Sequence, residues 1–137
     1  MDELVWSEDL NTGIDQIDQD HKGLFAIYAE LYAGIRSGAS PAQLYAILFK
    51  LTTHAEAHFK AEEIQMLAVA YPGFGPHQGR HVQLLTEVGV LTLQFGDPAL
   101  EAPRRLLEIL RPWLLDHIVN DDLAFADWVR GSGQAGC

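Results

Sequence analysis

The stretch His54-Ala55-Glu56-Ala57-His58-Phe59-Lys60-Ala61-Glu62-Glu63 decides the fold. His54, His58 and Glu62 recur at steps of four residues. On an α-helix that step stacks them on one face, about 6 Å apart along the axis. Imidazoles stacked on a carboxylate point to a bound cation, and the helix that carries them needs partners to complete the ligand set.

Working outward, the same helix is bounded by clear signals. Ser40 suits an N-cap, Pro41 the first helical position and Gln43 a capping box. Leu44, Ile47, Leu48, Leu51 and Met66 continue its inner face, and the run reaches about Ala70. Tyr71-Pro72-Gly73-Phe74-Gly75-Pro76 then breaks it. Upstream, Ile17, Leu24, Phe25, Ile27, Tyr28, Leu31 and Ile35 keep a helical period from about Ile17 to Ser37. Downstream, a third helix begins near Pro76 or His77 and carries His77, His81, Leu84, Leu85, Val88 and Leu91 to about Phe95-Gly96. A fourth starts around Asp97-Pro98 and holds Leu100, Leu106, Leu107, Leu110, Leu114, His117 and Ile118. Pro103 and Pro112 predict a break before about Arg104 and a kink near Pro112. A short helix follows over about 122–130.

Four amphipathic helices with short links predict an all-α, up-down-up-down bundle. The whole chain, 1–137, reads as one domain: an extended arm over 1–16, a bundle over about 17–120, the short helix and a small, polar tail over 131–137.

Composition narrows the function. Nine basic residues against nineteen acidic ones give a net charge of -10, which argues against nucleic acid and anionic membranes as partners. No apolar run is long enough to span a bilayer. The start, Met1-Asp2-Glu3-Leu4, lacks the character of a signal peptide, and the single cysteine, Cys137, excludes a disulfide framework. A cytoplasmic monomer is the expectation.

The remaining histidines repeat the pattern. His77 and His81 are again four apart, His117 precedes Asp121 and Asp122, and His21 shares the inner face of the first helix. One histidine on an apolar face is an ordinary core residue. Five at these spacings, from four helices, read as ligands for a transition metal of intermediate softness with no thiolate. A single zinc is satisfied by four ligands, so the larger set suits two ions with shared carboxylates. In the fourth helix spacing alone favours Asp121, four residues after His117. Asp122, five residues on, is turned by about 140° on an ideal helix; it becomes a ligand only through a π-like widening or a break.

These blocks resemble the hemerythrin family, most closely its single-domain bacterial branch, the bacteriohemerythrins. The likeness lies in Trp6…Thr12-Gly13-Ile14…Ile17-Asp18-Gln19-Asp20-His21-Lys22-Gly23-Leu24, in His58-Phe59-Lys60-Ala61-Glu62-Glu63…Met66, in Tyr71-Pro72…His77-Gln78-Gly79-Arg80-His81, and in Trp113-Leu114-Leu115-Asp116-His117-Ile118-Val119-Asn120-Asp121-Asp122. Four blocks in order cover nearly the whole chain.

The resemblance implies a non-haem di-iron centre with an oxo or hydroxo bridge. His77, His81 and His117 would hold one iron, and His21 and His58 the other, which keeps an open position. Glu62 and Asp122 would bridge them, so the family pattern selects Asp122 over Asp121. O2 is the implied ligand, with nitric oxide and small anions as further candidates. By the same pattern Leu114 and Ile118 line the ligand pocket with Trp113 beside it, and Leu24, Phe25 and Phe59, near the ligands, are expected to add to its walls. His54 stands where family members often carry tyrosine and is read as supporting the site rather than ligating. Asp18 either orients His21 by a hydrogen bond or serves only as a first-turn acid.

The implied function is reversible O2 binding for storage, delivery or buffering, without enzymatic turnover. An O2, redox or nitric oxide sensing module and a di-iron peroxidase-type enzyme are the alternatives. Five histidines to two carboxylates favour binding over oxidation chemistry, because ferritin-like oxidases are carboxylate-rich.

Overall fold

The computed structural model describes residues 4–131. The tail over 132–137 and the first three residues of the arm lie outside the described residues, and with them Cys137.

Five helices form: α1 (Asp15–Arg36), α2 (Pro41–Ala68), α3 (Phe74–Leu93), α4 (Ala102–Asp116) and α5 (Leu123–Gly131). No strand occurs among the described residues, and none of the helices is long and apolar enough to cross a membrane. Residues 37–40, 69–73 and 94–101 are the links between α1, α2, α3 and α4. Contacts run α1 to α2, α2 to α3, α3 to α4 and α4 back to α1, which closes a four-helix ring. Links this short make sequential neighbours antiparallel.

Local chemistry sets the ends. The Ser40 hydroxyl accepts from the Gln43 N–H while the Gln43 side chain accepts from the Ser40 N–H, a complete capping box with Pro41 at the first position. The break expected before Arg104 is a 3-10 turn over Pro98–Leu100 followed by Glu101 at φ 50°. Pro103 then sits in the first turn of α4, where a missing N–H leaves no bond unmade. Helix α4 continues through Pro112 without interruption. Helix α3 starts at Phe74, ahead of the expected Pro76, because Pro76 too falls in a first turn.

The buried side chains fall into two apolar groups. The larger includes Leu24, Leu48, Leu51, Phe59, Leu84, Val88, Leu107, Leu110, Leu114 and Ile118. The smaller gathers Ile17, Met66, Phe125 and Val129 at the other end of the bundle. Between Ile17 and Leu24 stands His21. Between Phe59 and Met66 stands Glu62, between Phe74 and Leu84 stand His77 and His81, and between Ile118 and Phe125 stands Asp122. The buried polar groups therefore form a layer between two dry ones.

The arm is pinned over the smaller end. Asp18 accepts from the Thr12 N–H (2.8 Å), the Thr12 hydroxyl (2.8 Å) and the Gly13 N–H (3.1 Å). Arg130 of α5 donates to the Thr12 carbonyl. Gly13 has φ +86°, a left-handed conformation that favours glycine, and a Cβ there would lie 2.9 Å from the Arg130 guanidinium and push that flexible side chain aside.

Candidate metal centre

Each helix of the ring delivers its ligand candidates to the polar layer, and all of them are buried: His21, His58, Glu62, His77, His81, His117 and Asp122. They fall into two groups whose donor atoms lie within 4.8 Å of one another: Glu62, His77, His81, His117 and Asp122 in one, His21, His58, Glu62 and Asp122 in the other. The two carboxylates belong to both.

Each carboxylate faces histidines of both groups. Glu62 Oε1 lies 2.7 Å from His77 Nε2 and 3.3 Å from His81 Nε2, while Glu62 Oε2 is the oxygen nearer His58 Nε2, at 3.9 Å. Asp122 Oδ1 lies 2.9 Å from His77 Nε2 and 3.2 Å from His117 Nε2, while Oδ2 lies 2.7 Å from His21 Nε2. Separations near 3 Å are short enough for the paired atoms to reach one cation at bonds of about 2.1 Å.

Asp122 reaches this layer because the backbone widens. Residues His117–Asp122 form a π-helical turn between α4 and α5. The extra residue in that turn brings a side chain five positions on to the face of His117. Asp121, which ideal spacing prefers, is displaced outward and accepts from His117 Nδ1 at 2.9 Å.

That outer contact is one of three. Asp20 takes the Nδ1 proton of His58 (2.9 Å) and Glu63 that of His81 (2.7 Å). A carboxylate on Nδ1 fixes the tautomer, turns the Nε2 lone pair inward and strengthens it as a donor to a metal. His81 Nε2 and His117 Nε2 then face each other at 3.0 Å. Two such lone pairs repel unless a cation or a proton lies between them.

The remaining inward atoms make the same point. His21 Nε2, His58 Nε2, Glu62 Oε2 and both Asp122 oxygens are buried without a properly directed hydrogen bond. Their short mutual distances come from facing a common space rather than one another. Buried anionic oxygens and imidazole nitrogens without partners are costly, and cations resolve the cost. The donor set thus fits two metal ions.

Titration follows the same arrangement. Burial lowers His117, but the hydrogen bond to Asp121 and the close, negatively charged Asp122 carboxylate outweigh it and hold the imidazole at about 9. His77 ends at about 8, burial again being overcome by Asp122 and Glu62. For His58 burial prevails and the pKa falls. Burial would raise Asp122, yet the imidazoles of His117, His21 and His77 keep it well below the usual carboxylate range.

The two residues expected to support the site fare differently. Asp18 does not orient His21: its carboxylate is consumed by Thr12 and Gly13, and His21 Nδ1 has no partner. The acid on the site is Asp20, on the next face of the same turn. His54 is no member of either donor group; its Nε2 meets the Asp20 carbonyl at 2.9 Å. Asp20 therefore joins His54 through its backbone and His58 through its side chain.

An apolar cavity of ≈ 10 Å³ lies one side chain away from the histidine layer, lined by Leu24, Leu51, Thr52, Ala55, Phe59, Leu84, Leu85, Val88, Leu110 and Leu114. Phe59 lies flat on His81 with ring centres 3.9 Å apart. Of the expected pocket residues, Leu24, Phe59 and Leu114 line this cavity. Phe25 instead packs edge-on against Trp6 of the arm, Ile118 is buried in the larger core, and Trp113 stacks on His117 at 4.4 Å beside a polar surface cleft. Leu51, Ala55, Leu84, Leu85, Val88 and Leu110 escaped sequence reasoning, since each alone is an ordinary core residue.

Comparison with known proteins agrees with this geometry. The hemerythrin HHE cation binding domain matches residues 12–129. The chain belongs to the hemerythrin family. Among its hemerythrin relatives, the bacteriohemerythrin of Stenotrophomonas maltophilia is 31% identical over 127 residues, 93% of this chain and 82% of that one. The bacteriohemerythrin of Pseudomonas aeruginosa is 31% identical over 132 residues, 96% of this chain and 85% of the relative. Myohemerythrin-1 of Phascolopsis gouldii is 28% identical over 123 residues, 88% and 90% of the two chains.

Proposed function

We propose that this hemerythrin binds O2 reversibly at a non-haem di-iron centre and serves in oxygen storage, delivery or buffering. The observation that carries the reading is the inequality of the two donor groups. One offers five protein ligands and the other four, with Glu62 and Asp122 common to both. The poorer group, with His21 and His58, leaves more room for a small exogenous ligand.

A di-iron pair would supply one electron from each ion to a dioxygen ligand and recover both on release. This chain's residues set the conditions. Five imidazoles with two carboxylates keep the site neutral enough to bury. Asp20, Glu63 and Asp121 hold three of the rings by Nδ1 and prevent them from turning away. Leu24, Phe59 and Leu114 present a dry wall, so water and protons have little access to a bound ligand.

The test is optical. The iron-loaded protein is reduced without air, exposed to O2 and then deoxygenated. A visible charge-transfer band that appears with O2 and vanishes on its removal supports the reading, and metal analysis should return about two irons per chain. Immediate decay to the oxidised form with turnover of an added substrate would favour the enzyme alternative, and a single zinc per chain would end the proposal.

A further inference from the structure

A second, larger depression lies directly outside the apolar cavity. It is a groove of ≈ 550 Å³ between α2 and α3, lined by Tyr45, Leu48, Phe49, Thr52, Glu56, Leu85, Val88, Gly89 and Thr92. Thr52, Leu85 and Val88 line both spaces. They are at once the floor of the groove and the roof of the cavity. A single layer of side chains therefore separates solvent from a void that touches Phe59, Leu24 and Leu114, each packed within one turn of a histidine of the centre.

The composition of this layer matters. Val88 is buried, while Thr52 and Leu85 are half-buried and border the groove from opposite helices. Rotation of Leu85 about its side-chain bonds requires no backbone movement, and exposed or half-buried rotamers exchange rapidly. No cation lines the groove, and the acid at its edge is the exposed Glu56. An anion meets like charge and apolar walls there, whereas an uncharged diatomic gas loses nothing on leaving water for such a space. The cleft beside Trp113 and His117 differs in kind, lined by Arg80, Gln83, Asp116, Asn120 and Asp121.

We infer that the α2–α3 seam at Thr52, Leu85 and Val88 is the access route by which small uncharged ligands reach the cavity above the candidate centre, with Leu85 as its moving part. The inference rests on the O2-binding reading for its ligand, although the route itself is a property of the protein wall.

The experiment uses the iron-loaded protein with Leu85→Trp, to plug the seam, and Leu85→Ala, to open it. Stopped-flow and flash measurements follow O2 association and dissociation. A passage residue changes both rates by one factor and leaves Kd unaltered, which a residue that merely shapes the bound state does not do. Leu85→Trp should slow both by about tenfold and Leu85→Ala should speed both, a spread within that seen for variants at one binding site. Gln83→Trp in the polar cleft should leave both rates within about twofold on that scale. Unchanged rates in Leu85→Trp, a change in Kd alone, or slowing by Gln83→Trp would overturn the inference. Xenon-pressurised crystals of the same proteins judge the route without O2: brief pressurisation should place xenon in the wild-type and Leu85→Ala cavities and not in Leu85→Trp. Equal filling of all three, or none in the wild type, overturns the route. Failure of O2 to bind while xenon behaves as expected would instead discredit the functional reading and leave the route standing.

Discussion

His117 and Asp122 are five residues apart, yet His117 Nε2 and Asp122 Oδ1 come within 3.2 Å of each other. The π turn makes this pairing, and it separates the roles of two adjacent acids. Asp122→Ala should abolish binding of the metal pair, since it removes a donor from both groups. Asp121→Ala should retain full metal stoichiometry with affinity reduced about 10–100-fold, the usual consequence of freeing a ligand histidine's outer nitrogen. Metal analysis and competition titration with a chelator distinguish the two. Equal losses from both variants would contradict the assignment.

Metal loading should strengthen with pH over a window set by two histidines. In the metal-free protein His77 stays protonated to about 8 and His117 to about 9. Both lie above the ordinary imidazole value, so their contribution to folding is complete below about 6.5 and disappears as pH rises through the folded values. Metal ions need those nitrogens deprotonated and displace their protons. Between neutrality and pH about 9 the metal-free protein should therefore melt at progressively lower temperature, while apparent metal affinity rises. Thermal melts with and without metal across that range would check both signs.

Asp18 and Asp20 are two residues apart with different duties. Asp18→Ala should release the Thr12–Gly13 arm and cost about 2–3 kcal/mol, because a buried carboxylate with three hydrogen bonds is lost. Its metal content should not change. Asp20→Ala should leave stability less affected and weaken metal binding through His58. Chemical denaturation of both metal-loaded variants, read beside chelator competition, provides the comparison.

Gly23 faces the His54 ring. A Cβ at position 23 would lie 2.7 Å from His54 Cε1 and 2.8 Å from Nε2, too close to coexist with the ring as placed. Gly23→Ala alone should displace His54 from the Asp20 carbonyl, which offsets the gain in helix propensity. In a His54→Ala background the same change should stabilise α1 by about 1 kcal/mol, the ordinary advantage of alanine over glycine in a helix. A double-mutant cycle in urea measures the difference. His54→Ala by itself should keep both metal ions.

The residues show what a sequence can and cannot convey about such a site. The four-residue steps at His58 and Glu62 and at His77 and His81 are local, as is the Ser40–Gln43 capping box, so the helices and the inward face were legible. Whether Asp121 or Asp122 turns inward depends on one extra backbone residue in a turn, which ideal geometry does not anticipate; only family likeness selected Asp122. Asp20 was missed because its partner, His58, is on another helix, and Asp18 was open to two roles because it sits one turn-face from His21 but also in the first turn of the helix. The cavity was half legible: Leu24, Phe59 and Leu114 are near ligands in sequence, whereas Leu51, Leu84 and Leu110 approach only when the bundle closes.

The polar layer lies between two hydrophobic groups of very different size. With cations absent and the imidazoles deprotonated at high pH, mutual repulsion among its lone pairs and carboxylates acts like a wedge driven between a large block and a small one. The pole bearing Met66, Phe125 and Val129 then has little of its own to hold it, and unzipping should begin there. Cation capture rivets that pole to the rest, so the site doubles as the clasp of the scaffold that builds it.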